Sequence, residues 1–304
     1  MALNPSFISV LGVNIHNYSL QEILENIRSQ LKNNTSDHTS KQFKVKHSRY
    51  VLPIYTVNPE FLVIAHEHNK FKDILNRAFI AVPDGIGILY AGLLKGKRFP
   101  ERITGIDLVY SCTQLAAEHD FTVGFLGGRQ DAAEKVLKLF KNRYPSLNAW
   151  SDPGPNIEIV SSPISPNSPK TLTNLIKIDQ NSYDMENLLS TISGCDILFV
   201  AFGAPKQEYF IEYISSQLTA RFATANSKTP QNKSREPLAV SRKLICVGVG
   251  GSLDEISGIS AQSPHWINVL GFKWLFRLAT EPWRWKRQMR LLKFLRLLLS
   301  KNNK

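Results

Sequence analysis

The sequence predicts an α/β fold, a Rossmann-like parallel sheet flanked by helices, with a basic amphipathic helical appendage at the C-terminus. Two observations predict the sheet: from Tyr50 onward, short β-rich apolar runs alternate with helical periods, and several of those runs end in glycine-bearing turns that open a helix. A third predicts the appendage: residues 271–304 hold ten Lys/Arg against one acid, Glu281, and so carry +9 of the formal +12. At 304 residues and 43% hydrophobic composition, one large core is affordable. The expected division is a single domain over 1–270 and the appendage over 271–304.

The elements follow in order. Phe7 to Ile15 reads as a strand, and Ser19 with Glu22 forms a capping box that opens a helix through Ile23, Ile27 and Leu31. Residues 33–49 are polar, basic and aperiodic, which suits an exposed insertion. Then come strand Val51 to Val57, a helix from Pro59, strand Phe79 to Val82, helices from Gly85 and Gly105, strand Phe121 to Leu126, and a helix from Asp131 to Tyr144. Residues 151–185 are rich in Ser, Pro and Asn, and 223–243 in Lys, Ser, Thr and Asn, so both read as mobile insertions. Between and after them lie buried strands Asp196 to Phe202 and Leu244 to Val249.

Composition excludes several classes. The three cysteines, Cys112, Cys195 and Cys246, are far apart among apolar residues, which is neither a disulfide framework nor a metal-ligand spacing, and a reducing compartment is expected. No run of 18 apolar residues exists and the N-terminus lacks the basic flank of a signal peptide, so neither a membrane span nor export is expected. His66-Glu67-His68 lacks the H-E-x-x-H spacing, and no metal site is expected.

In open α/β sheets ligands bind beyond the carboxyl ends of the strands. Thr56-Val57-Asn58-Pro59 ends one strand, with Asn58 placed to cap a helix that begins at Pro59. Val82-Pro83-Asp84-Gly85 ends the next with a carboxylate at a sharp turn, where it suits a general base or ordinary turn chemistry. Arg102 stands just ahead of the helix start at Thr104-Gly105-Ile106-Asp107, where a guanidinium and backbone N–H groups can together hold phosphate oxygens. Gly127-Gly128 and Gly250-Gly251 lie in glycine-rich turns able to approach a diphosphate, though neither is G-x-G-x-x-G. Lys206 and Gln207 open the helix after Phe202-Gly203-Ala204-Pro205. A nicotinamide-dependent oxidoreductase would want an acid about 20 residues beyond its glycine turn, and Gly124 has none at that offset. A noncatalytic membrane scaffold would leave the polar strand ends without a purpose.

Taken in order, seven stretches resemble the WecG/TagA/CpsF glycosyltransferases: Thr-Val-Asn-Pro, Val-Pro-Asp-Gly-Ile-Gly, Arg-Ile-Thr-Gly-Ile-Asp-Leu, Gly-Phe-Leu-Gly-Gly, Ala-Phe-Gly-Ala-Pro-Lys-Gln-Glu, Val-Gly-Val-Gly-Gly-Ser-Leu-Asp and Trp-Leu-Phe-Arg-Leu-Ala-Thr-Glu-Pro. The resemblance implies an inverting, metal-independent transfer, without a cofactor, of a sugar, by family default N-acetylmannosamine, from a UDP-sugar donor. The implied acceptor is a polyprenyl-diphosphate-linked saccharide. It implies Asp84 as catalytic base, Thr56 and Asn58 as active-site polar residues, Gln207 in the donor pocket, and Arg102 on the leaving diphosphate or the lipid phosphates. Gly105, Asp107, Gly127, Gly128, Lys206, Gly250 and Gly251 complete the expected substrate contacts. Two departures stand out: Gln262-Ser263-Pro264 replaces a usual Arg-Ala-Pro, and Lys273 a usual Glu.

From Pro282, a helix would set Trp285, Met289, Leu292, Leu295 and Leu299 on one face and Lys286, Arg287, Arg290 and Lys293 largely on the other. Such a helix suits an anionic membrane surface better than nucleic acid, with Arg277, Arg284, Arg287 and Arg290 toward lipid phosphates. Residues 283–304 are expected to be removable without unfolding the domain. A cytoplasmic protein peripheral to the inner face of the bacterial membrane is the expected setting; a homo-oligomer is left open.

Overall fold

In the computed structural model, residues 6–32, 51–160, 176–179, 183–227, 243–261, 264, 267, 273–280 and 285–301 are described. The chain opens not with one strand but with an antiparallel hairpin, β1 (Phe7–Val10) and β2 (Val13–His16). Leu11 and Gly12 both take positive φ, 51° and 84°, the backbone of a two-residue hairpin turn. An apolar leucine at that turn disguises the reversal in the sequence. The hairpin docks on β4 (Ile80–Pro83), where the Ala81 N–H donates to His16 Nδ1 at 3.0 Å. Burial of that imidazole holds its pKa down to about 4.

Six parallel strands form the main sheet. They are β3 (Val51–Val57), β4, β5 (Val123–Gly127), β6 (Ala149–Asp152), β9 (Ile197–Ala201) and β10 (Leu244–Gly248), in the order β4-β3-β10-β9-β5-β6. A small two-stranded antiparallel sheet pairs β7 (Ile157–Ile159) with β8 (Ile176–Ile178). Strands β4, β5, β9 and β10 are buried along their whole length, as expected where helices cover both faces. The helices are α1 (Leu20–Lys32), α2 (Pro59–Glu67), α3 (Asn69–Asn76), α4 (Ile86–Leu93), α5 (Gly105–Glu118), α6 (Ala132–Arg143), α7 (Met185–Ser193), α8 (Lys206–Ser227), α9 (Ser252–Ile256), α10 (Lys273–Thr280) and α11 (Trp285–Lys301).

The sheet separates two apolar cores. One gathers Phe61, Phe71, Leu188, Phe210 and Phe294 from α2, α3, α7, α8 and α11. The other gathers Ile23, Leu108, Val136 and Leu253 from α1, α5, α6 and α9. The Ser19–Glu22 capping box forms as expected, with Ser19 N donating to Glu22 Oε2 at 2.7 Å and Glu22 N to Ser19 Oγ at 3.3 Å. All three cysteines are free and buried, and burial pushes the Cys112 and Cys195 thiols up to about 12, so they stay protonated and inert.

Two expectations are corrected here. The stretch 151–185 is not simply a mobile insertion, because it completes β6, contributes β7 and β8, and begins α7 at Met185. Its Ser/Pro/Asn-rich middle, 161–175, masks three-residue strands too short to show a period. Of 223–243, residues through Ser227 finish α8; the insertion at 33–49, residues 228–242, Gln262 and Ser263 lie outside the described residues.

The second correction concerns the appendage. α11 lies on α2 and belongs to the core: Phe294 and Leu298 are buried in it, and Leu291 and Leu297 pack against it. The cationic face expected to be free is partly spent, for Arg290 Nη1 meets Glu60 Oε1 and Lys293 Nζ meets Glu67 Oε1, each at 2.5 Å. Nothing in the 271–304 stretch could reveal that α2, some 230 residues earlier, presents two carboxylates to it. The apolar row is outward, as expected: Trp285, Met289, Leu292, Leu295 and Leu299 keep 48–65% of their surface exposed.

Candidate functional site

β3, β4 and β10 run in parallel, so their carboxyl ends open on one edge of the sheet, and the residues just past them converge there. Asn58 follows β3 and caps α2, accepting a hydrogen bond from Phe61 N at 3.1 Å through its side-chain oxygen. Asp84 follows β4. Its N–H donates to Val57 O at 2.8 Å, which sets Asp84 beside Asn58, and both side chains are half-buried at the opening. The segment bearing Arg102 is pinned to the same strand end, since Ile103 N donates to Pro83 O at 3.0 Å. Two backbone contacts thus gather Asn58, Asp84 and Arg102, residues separated by up to 44 positions in the chain.

Helix starts surround them. α2, α4 and α5 all begin at this edge, so their N–H dipoles add positive potential where an anion would lie. α5 is brought close by Gly105, where a Cβ would lie 2.5 Å from Ser252 Oγ and 2.9 Å from Val249 O. Any side chain there would push α5 away from the β10–α9 turn. Asp107 spends its carboxylate on the cap of α5, accepting from Thr104 N at 2.8 Å while its own N–H donates to Thr104 Oγ1 at 3.2 Å.

Beneath the opening lies a buried polar network. Thr56 Oγ1 donates to Gly248 O at 3.2 Å, tying β3 to β10. Gln207, 1% exposed, accepts from Gly250 N at 2.9 Å and donates through Nε2 to Glu208 Oε1 at 2.7 Å. Gln207 therefore positions the Gly250-Gly251 turn, and Gly250 itself faces open space. Lys206, at the first turn of α8, is half-exposed.

The other glycine turn is built differently. Gly127 packs against the Phe202 ring, and Arg129, just past Gly128, gives its backbone N–H to Asp254 Oδ1 at 2.7 Å and its Nε to Asp254 Oδ2 at 3.1 Å. A carboxylate already occupies the donors at this turn. Glu67 of the His66-Glu67-His68 run is paired with Lys293, and among the described residues no cluster could hold a metal ion. The sheet order also differs from the dinucleotide-binding order, in which the first strand lies at the centre between the second and fourth.

Of the expected membrane residues, Arg290 is the one whose side chain is placed, on Glu60; Arg277 falls in α10 and Arg287 in α11, and Arg284 lies outside the described residues. Sequence reasoning missed Glu60, Asp254 and Glu208. The last had a signal, an acid directly after Gln207 at a helix start, but no pattern says that its side chain turns inward.

A family model described as Glycosyl transferase WecG/TagA/CpsF family matches residues 8–226 and 235–304. The chain belongs to that family. Its members in the comparison include an N-acetylglucosaminyldiphosphoundecaprenol N-acetyl-β-D-mannosaminyltransferase of Bacillus subtilis (strain 168), 28% identical over 255 residues, 83% of this chain and 80% of the relative. A protein of the same description from Staphylococcus aureus (strain NCTC 8325 / PS 47) is 24% identical over 288 residues, 95% of this chain and 89% of the relative. The WecG/TagA/CpsF match spans both the sheet and α11, so the helix that packs on α2 falls within the region the family shares.

Glu208 offers a test of the buried network. It is wholly buried, and burial pushes its carboxyl up to about 8 although the Gln207 hydrogen bond pulls the other way. Folded protein then keeps a proton that the unfolded chain, with a carboxyl near 4.5, has already released. This group's contribution to stability is full below about pH 4.5 and is lost as pH rises through about 8. Glu208→Gln keeps an acceptor for Gln207 without the titration, so its urea midpoint should change less than that of the wild type between pH 5 and 8.5. Parallel pH dependences would show that Glu208 ionises freely in the fold.

Proposed function

We propose that the chain is an inverting glycosyltransferase that moves N-acetylmannosamine from a UDP-sugar to a polyprenyl-diphosphate-linked saccharide, working at the cytoplasmic face of the membrane. The observation that carries this reading is the convergence of Asp84, Asn58 and Arg102 at the joined ends of β3 and β4, ringed by three helix N-termini. The two relatives, named for N-acetylmannosaminyl transfer to N-acetylglucosaminyl-diphosphoundecaprenol, supply the sugar and the acceptor.

The chemistry follows from what each group offers. Asp84 takes the proton of the acceptor hydroxyl as its oxygen attacks the anomeric carbon from the face opposite the departing UDP. Asn58, held by its cap bond, orients the acceptor beside that carboxylate. The leaving diphosphate gathers negative charge, which Arg102, the start of α5 and the Gly250-Gly251 turn offset without a metal. No described helix is long and apolar enough to cross a membrane, and the outward row of α11 supports a peripheral attachment to anionic lipid.

Incubation with UDP-N-acetylmannosamine and a short-chain polyprenyl-diphosphate N-acetylglucosamine should release UDP and give a disaccharide-lipid by mass spectrometry, with or without EDTA. UDP release that needs no acceptor, or none at all, would overturn the reading. Arg102→Lys tests the phosphate contact. An ammonium cannot replace a planar fork, and a hydrogen bond to a charged group contributes about 1.5–3 kcal/mol, so kcat/KM should fall about 10- to 150-fold. Equal kinetics across salt concentrations would leave Arg102 as surface charge.

A further inference from the structure

α4 is apolar all round, and its sequence explains only half of its surroundings. Ile88, Ala91 and Gly92 are buried, yet Tyr90 and Leu93, with Leu94 just past the helix, keep 53–59% of their surface exposed. Lys95, Lys97 and Arg98 follow at once, all exposed, and none makes an ion pair among the described residues. Between Asp84 and Glu101 there is no acidic residue at all. The result is a helix end with an apolar tip and a collar of three cations.

Its place in the fold links it to the outward row of α11. A Cβ at Gly87 would lie 3.4 Å from the Phe294 ring, so α4 abuts α11 at its first turn. Gly87, Tyr90 and Leu94 stand at i, i+3 and i+7 and share one stripe of the helix, which therefore runs on from the α11 contact.

We propose that the tip of α4 with its basic collar is a second membrane-insertion element, which dips Tyr90, Leu93 and Leu94 into an anionic bilayer alongside the outer face of α11. Apolar side chains ringed by cations match the acyl and headgroup layers of such a surface, each cation adding about 1 kcal/mol there. A second copy of the chain is a poorer occupant, because a two-fold contact through this patch would set three cations against the same three. The consequence concerns the site. Asp84 stands two residues ahead of α4, whose eight residues at 1.5 Å each span about 12 Å, so the anchored helix fixes how high the base stands above the lipid.

This inference rests on the peripheral-membrane part of the proposed function, but its readout is lipid contact and not sugar transfer, so an inactive protein that docks still tests it. Leu94→Cys in the full chain, carrying an environment-sensitive dye, should brighten and shift to the blue with phosphatidylglycerol-containing vesicles, the native cysteines being buried. The same dye at Lys141→Cys on α6, on the other side of the sheet, should not respond. Leu94→Glu should leave the thermal melt unchanged and weaken vesicle sedimentation about tenfold or more. Sedimentation with a silent dye at position 94 would mean that α11 docks alone and would overturn the proposal. A silent dye together with a dimer that Leu94→Glu dissociates would assign the patch to a second copy, also overturning it.

Discussion

Asp84→Asn is expected to lower turnover by about two to four orders of magnitude while UDP binds as before, the loss that removing a general base produces. The substitution isolates basicity. Asparagine has the size of aspartate and is equally at home in a turn, and the Asp84 N–H to Val57 O bond that places the residue is made by backbone and survives. Asn58 keeps its cap and Ile103 keeps its bond to Pro83, so the surroundings of the reacting hydroxyl change by one protonatable oxygen. Initial rates at saturating donor and acceptor, with UDP affinity measured by calorimetry, separate the chemical step from binding. A variant that turns over at near wild-type rate with donor affinity intact would remove Asp84 from the role of base.

What the sequence made legible were features written locally. The capping box at Ser19, the cap at Asn58 and the turn at Asp84 each sit within four residues of the structure they dictate, and each forms where expected. The strand ends were legible for a related reason: buried parallel strands are continuous apolar runs, so the first polar residue past each run marks its exit. What stayed hidden depends on partners far away in the chain. Gln207 reads from the resemblance as a donor-pocket amide, but Gly248, where a Cβ would lie 2.9 Å from its Nε2, leaves room for that amide to turn inward. Asp107 looks like a ligand-facing acid and proves to be the third residue of a cap. The two faces of α11 illustrate the same limit. Its 3.6-residue period separates the Leu/Trp row from the Lys/Arg row correctly, but which side meets protein is decided by Glu60, Glu67 and the apolar seat between α2 and α4.

That seat carries the largest expected effect on stability. Phe294 is fully buried, and its ring lies within reach of the Gly87 position on α4, itself against Pro59 at the first turn of α2. Phe294→Ala would leave a cavity there and should cost about 3–5 kcal/mol, the usual range for a buried aromatic. Leu299→Ala, on the same helix but 65% exposed, should stay within about 0.5 kcal/mol. The comparison holds net charge constant, and since alanine raises helix propensity at both sites, any loss of stability comes from the face that is cut. Because Pro59 and Gly87 stand one and three residues beyond Asn58 and Asp84, the cavity should also loosen both active-site turns. Turnover on a short-chain acceptor free in solution should therefore fall for Phe294→Ala and hold for Leu299→Ala. Urea unfolding and that assay together decide the matter. If both variants keep the wild-type midpoint and the wild-type rate, α11 is a detachable tether; if only Phe294→Ala loses them, the helix proposed to face the membrane is also the back wall of the proposed catalytic turns.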